Sequence, residues 1–183
     1  MTFRLSELDP NDPRWSKQGA IYVPAGEGPT VWGVGDTYTI KATAAQTNGG
    51  FGLIEATVPA GSGSGAHAHG DEEESFYILD GKLEFLDGDR TFTATAGDFV
   101  YIPRGIRHRF TNKSYHAAKM LFMFTPGGAE TFIQDFGAPA RPGEPAPPLS
   151  ETDMVRAQEA MRQLNLITLF EPGWGPAADS KDE

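Results

Sequence analysis

Apolar residues in this chain fall in short runs punctuated by glycine, proline and Asp-Gly pairs, which is the spacing of strands joined by tight turns. Residues 21–23 and 31–34 predict short strands, and 38–43 alternates well enough for another. Asn48-Gly49-Gly50 makes a turn ahead of 51–58, a stretch rich in β formers. The middle of the chain is clearest. Residues 75–79 end at Asp80-Gly81, residues 82–86 end at Asp87-Gly88, and 90–95 alternates through Phe92 and ends at Gly97. Asp-Gly between apolar runs predicts hairpins, because both turn positions can need positive φ. Residues 99–102 stop at Pro103, 109–111 open another strand, and 119–124 stop at Pro126-Gly127-Gly128. Strands at such close intervals predict an all-β sandwich or barrel.

Helical signals come late. Phe132 and Phe136 are four apart and Gly137 follows, which predicts about two turns of helix. Residues 138–149 contain five prolines and read as an extended connector. Ser150 with Asp153 three residues on forms a capping box, after which Met154, Ala157, Met161 and Leu164 share one helical face. The division expected is an arm with edge strands over 1–36, a barrel over 37–137, and a connector, helix and tail over 138–183. The part after Trp174 is small and charged, and is expected to be disordered.

Composition narrows the chemistry. The 183 residues contain no cysteine, which excludes disulfides, thiolate metal sites and cysteine nucleophiles. The net charge of −10 opposes nucleic acid as a partner. No apolar run approaches the roughly 20 residues that span a bilayer, and residues 1–9 lack the pattern of a signal peptide. A cytoplasmic protein without membrane contact is expected. Gly61-Ser62-Gly63-Ser64-Gly65 lacks the Lys-Ser/Thr and helix of a phosphate loop and reads as a flexible lip. The basic stretch Arg104, Arg107, Arg109, Lys113 and Lys119 reads as balance for the acidic run 71–74.

Four histidines remain, at 67, 69, 108 and 116. His67 and His69 are two apart, so on a strand their imidazoles share a face and converge on one ion. A bend after His69 would return the carboxylate of Glu74 to that face. His108 follows a Pro-x-Gly turn and enters a strand. Three imidazoles and a carboxylate suit one divalent Fe, Mn, Ni, Co, Cu or Zn ion. His116 lies apart and reads as a loop residue.

These residues carry a resemblance. Residues 61–81 read GSGSGAHAHGDEEESFYILDG and 97–112 read GDFVYIPRGIRHRFTN. They resemble the two cupin motifs without a gap, separated by a short spacer as in single-domain cupins. Gly and Ser precede His67 where relatives often have Pro, a departure that leaves the ligands untouched. The resemblance spans about residues 38–137. It implies a cupin jelly-roll β-barrel with short C-terminal helices and one metal inside, held by His67, His69, Glu74 and His108. Glu73 is the rival carboxylate, and Asp71, Glu72 and Glu73 otherwise form a solvated turn. The flanks FYILDG and PGGAETFIQDFG are similar to quercetinase-like cupins, in which C-terminal helices pack beside the barrel mouth.

Alternation from Glu74 sends Phe76 and Ile78 inward, and Phe110 shares the face of His108. Tyr101 and Met123 extend the proposed substrate pocket, with Phe132, Phe136, Met154 and Met161 from the helices. The same positions also suit plain barrel core. The resemblance implies a metal-dependent dioxygenase acting on a flavonol-like or polyketide-like enolisable aromatic ketone, with O2 as co-substrate and Glu74 as proton acceptor. A non-redox cyclase or isomerase and a non-catalytic binding module are the alternatives. Arms and edge strands in this family imply a homodimer.

Overall fold

The computed structural model describes residue 9 and residues 11–169. The start of the arm, over 1–8, and the tail beyond Trp174 lie outside the described residues. After a 3-10 turn at Pro13–Ser16 the arm runs without regular structure, so the strand expected at 21–23 does not form. Ile21 and Tyr22 are exposed there, and no neighbouring strand offers the ladder that β propensity needs.

Ten strands then follow in order: β1 Thr30–Gly33, β2 Asp36–Ala42, β3 Gly52–Val58, β4 His67–His69, β5 Glu73–Asp80, β6 Lys82–Asp87, β7 Arg90–Thr95, β8 Phe99–Ile102, β9 His108–Thr111 and β10 Ala118–Thr125. Helix α1 spans Ala129–Phe136 and is followed by β11 at Ala138–Pro139. Helix α2 spans Glu151–Gln163 and β12 spans Leu166–Thr168. One sheet has the order β11-β1-β2-β3-β10-β5-β8, and the other β12-β4-β9-β6-β7. All pairs are antiparallel. The two sheets face each other in the jelly-roll arrangement expected, without closing edge to edge. No described helix is long and apolar enough to cross a membrane.

The core between the sheets follows from strand alternation. In β10 the inward set is Ala118, Met120, Phe122 and Phe124, all buried, while Lys119 faces out. Glu74, Phe76 and Ile78 of β5 point the same way, and Leu83 and Phe85 meet them from β6. Phe76 packs edge-on against Phe85, with ring centroids 5.1 Å apart.

The two Asp-Gly signals have different outcomes. Asp87 pairs with Arg90, so Gly88 and Asp89 make the hairpin expected between β6 and β7. Asp80-Gly81 makes no hairpin. There β5 pairs with β10 and β8, and the chain turns the corner into the second sheet as β6. Gly81 adopts φ 75°, and a Cβ on it would lie 3.0 Å from Ala118 Cα. Close approach at the corner, rather than hairpin geometry, requires glycine.

The helices end where the sequence indicates. Gly137 caps α1, with its N–H donating to the Ile133 carbonyl. The Ser150 hydroxyl accepts from the Asp153 N–H, and the Asp153 carboxylate answers the Ser150 N–H. The connector contributes β11, which covers the outer edge of β1. The strand β12 carries no separate signal, because its three residues alternate too briefly to register.

Candidate metal centre

Strand β4 places His67 and His69 on one face, and β9 brings His108 directly opposite His67. Between His69 and β5 the chain crosses from one sheet to the other through Gly70-Asp71-Glu72, which returns Glu74 to the barrel interior. Two histidines, a third from the neighbouring strand and a carboxylate from the facing sheet thus meet. Their four donor atoms lie within 4.8 Å of one another. Glu74, His69 and His108 are buried and His67 is partly exposed. Glu73 faces the opposite way, 3.9 Å from Arg104, so it does not join the cluster.

The ring orientations are fixed from behind. His67 donates Nδ1–H to the Gly65 carbonyl at 2.7 Å, and His108 donates Nδ1–H to the Ile106 carbonyl at 2.8 Å. In neutral rings both bonds leave Nε2 as a lone pair aimed at the centre. The Nε2 atoms of His67 and His69 face each other at 3.2 Å, and Glu74 Oε2 lies 2.8 Å from His108 Nε2 and 3.3 Å from His69 Nε2. Behind His69, Nδ1 faces Glu72 Oε2 at 3.6 Å, and neither atom has a hydrogen-bond partner among the described residues. Glu72 is buried and so departs from the solvated turn expected, whereas Asp71 is exposed and Glu73 partly so. A donor set of imidazole nitrogens and a carboxylate, backed by second contacts, fits a divalent transition metal.

Burial, together with the charges of His108 and His69, lowers His67 to about 3. Burial alone would lower His69 as well, but the Glu72 and Glu74 carboxylates outweigh it and push its pKa up to about 9. Burial opposes ionisation of Glu74, yet His108 and His69 hold its carboxyl well below the usual carboxylate range. The cluster therefore presents an ionised carboxylate and a neutral His67, while His69 holds a proton that a bound ion would have to displace.

Above the cluster lies an apolar cavity that opens to solvent. Phe110, Phe132 and Phe136 line it, and so does Met161 of α2, whereas Met154 does not. Phe76 and Ile78 sit in the core away from the cavity wall, Phe76 with its ring centroid 6.5 Å from that of His108. Tyr101 is a correction: it lies opposite Ser75 on the outer face and is 49% exposed. Met123 is another, since it also pairs with Ser75 and points outward. The cavity instead takes Phe122 and Phe124 from β10, Tyr38 from β2, Ile133 from α1 and Leu166 from β12. The signal for Phe122 and Phe124 was Lys119, which marks the odd-numbered positions of β10 as solvent-facing.

The glycine–serine lip is pinned rather than flexible. Ser64 N–H donates to the Phe110 carbonyl, Asn112 N–H donates to the Ser62 carbonyl, and Ser62 Oγ donates to Asp36 at 2.6 Å. Gly63 has φ 153°, and a Cβ there would lie 2.2 Å from the Phe110 carbonyl oxygen. Asn112 ends the second motif for a structural reason. Its side-chain amide donates to the Val58 and His116 carbonyls, closing the loop that carries exposed His116. The basic stretch departs from the expected balance with the acidic run 71–74: Arg104 approaches Glu73, but Arg109 and Lys113 pair with Glu84 and Lys119 lies near Glu55.

Comparison with known proteins agrees with this geometry. Residues 54–124 match the family described as the cupin domain. The chain is 28% identical over 115 residues to quercetin 2,3-dioxygenase of Bacillus subtilis, covering 63% of this chain and 34% of that one. It is 37% identical over 95 residues to the polyketide synthase CurC of Streptomyces cyaneus, covering 50% and 60%. The chain thus spans about a third and three fifths of these two relatives. Among solved structures it resembles KdgF from Halomonas sp., with TM-score 0.54 and 14% identity over 62% of this chain and 99% of that one. A predicted oxalate decarboxylase from Thermotoga maritima gives TM-score 0.53 and 23% identity over 57% and 98%. These likenesses show the fold.

Proposed function

We propose, from the match of residues 54–124 to the cupin domain, that this chain is a metal-dependent dioxygenase acting on a flavonol-like or polyketide-like enolisable aromatic ketone. The observation that carries the reading is the convergence of His67, His69, Glu74 and His108 beneath an aromatic-lined cavity. These four residues would hold one divalent transition metal. Bound there, the ion would supply a Lewis acid that lowers the pKa of a substrate hydroxyl and keeps substrate and O2 together.

The chain's own residues would do the rest. Glu74 would accept the proton of the substrate hydroxyl, whose acidity the bound ion would raise. Phe110, Phe122 and Phe124 would exclude water and hold an aromatic ring against their edges.

The similarity to a polyketide synthase component favours a second reading, a cyclase or isomerase that uses the same carboxylate and Lewis acid without O2. Oxygen uptake by protein reconstituted with Mn, Fe, Co or Ni, against a panel of flavonols and polyketide phenols, separates the two. The dioxygenase reading expects uptake that falls at least a hundredfold in Glu74→Gln and vanishes, with the bound metal, in His69→Ala and His108→Ala. Product formation under nitrogen from the same panel would replace it with the cyclase.

A further inference from the structure

Strand β4 carries two of the four donor groups within three residues, and its support is uneven. On one side it meets β9 through one register pair, His67 with His108. On the other side β12 pairs along its whole length, with Leu166 opposite His69, Ile167 opposite Ala68 and Thr168 opposite His67. The ladder extends to Leu169, whose N–H donates to the Ala66 carbonyl at 2.8 Å. Hydrogen-bonded pairs alternate along an antiparallel ladder, which makes Ile167 and Ala68 the next bonded pair. Two side chains add to the seam: Asn165 donates to Asp71 at 3.2 Å, and Arg107 donates to the Leu169 carbonyl at 3.2 Å.

The same segment walls the cavity through Met161 of α2 and Leu166 of β12. Widening the cavity for a larger guest means displacing part of this lining. Phe110, Phe122 and Phe124 belong to the barrel core and are buried. Helix α2 is held more lightly: Ala157 is its one buried apolar residue, and the helix is reached through the proline-rich connector. A segment with few buried apolar contacts opens at low free-energy cost.

We propose that β12 is a positioning element of the metal centre and that α2 with β12 is the removable wall of its cavity. Release of the segment admits the substrate and loosens His67 and His69, and closure over the substrate realigns them. The proposal rests on the four-residue cluster holding a metal. By linkage, closure of the segment and metal binding strengthen each other by one common factor.

The absence of native cysteine allows a clean test. Ala68→Cys with Ile167→Cys places two thiols on register partners about 5.5 Å apart at Cα, within disulfide reach. Ile167→Pro removes the donor from the same pair. Co²⁺ release to excess EDTA and amide exchange at residues 66–69 are measured in the full chain. Ile167→Pro is expected to speed both at least tenfold, and the oxidised double variant to slow both at least tenfold against its own reduced form. Rates within twofold of each other across these proteins would overturn the proposal. If the wild type takes up no Co²⁺, the metal reading fails, and unchanged exchange at 66–69 in the proline variant separately overturns the coupling of β12 to β4. Should Ile167→Pro fail to fold, the oxidised and reduced forms of the double variant decide the matter.

Discussion

Glu72 shows how much a single residue's surroundings decide. In the sequence it is the second of four acids and reads as solvated. In the fold it is buried behind His69 Nδ1. Its charge raises the basicity of the ring. Glu72→Ala is expected to weaken Co²⁺ or Mn²⁺ binding about 10–100-fold with little change in the fold, as read by calorimetric titration. Affinity within twofold of the wild type would reduce Glu72 to a bystander. Asp36 is a second case, fully buried and bonded to Ser62 Oγ and Tyr38 OH. Burial raises its pKa from 3.8 to about 7, against the two hydrogen bonds, which lower it. Between those values the folded chain keeps the proton that the unfolded chain releases. This contribution to stability is therefore fully present below about pH 4 and is lost as pH rises through about 7. The loss is roughly 4 kcal/mol at most. Asp36→Asn should flatten that part of the curve in urea unfolding at pH 4.5 and 7.5, and an unchanged slope would show that Asp36 is ionised throughout.

Among the elements, those with strong local signals appear where the sequence puts them. The hairpin of β6 and β7, the strands β7 and β8, the two helices and the capping box are all cases in which turn chemistry or periodicity acts over a few residues. Elements that depend on a partner are harder to read. Residues 21–23 are good β formers without a ladder to join, and β12 becomes a strand because β4 lies beside it. The inward and outward faces of β10 needed the charge at Lys119 to set parity. The capping box offers a test of how α2 is held. Ser150→Ala should destabilise the helix by about 1 kcal/mol. The expected readout is amide exchange about fivefold faster over 154–163, with β10 amides unchanged. Equal acceleration in β10 would mean that α2 and the barrel unfold as one unit.

At the scale of the whole molecule, the centre ties the two sheets together, since His67, His69 and His108 belong to one and Glu74 to the other. An ion bound there crosslinks the barrel. A free metal concentration of one hundred times Kd should stabilise the fold by about 2.7 kcal/mol and raise Tm by several degrees. EDTA should reverse the shift, and a Tm indifferent to both would remove the metal from the account. The sequence by itself determined the β-rich class, the two helices and the three histidines of the cluster. Strand alternation, turn chemistry and motif spacing are properties of neighbours along the chain. Only the tertiary structure decided that Glu74 rather than Glu73 turns inward, that Glu72 is buried, and that Phe122 and Phe124 rather than Met123 and Tyr101 face the cavity. It alone placed β12 against β4. Those outcomes depend on which strands become neighbours across the two sheets, and contacts between distant parts of a chain leave little trace in the order of its residues.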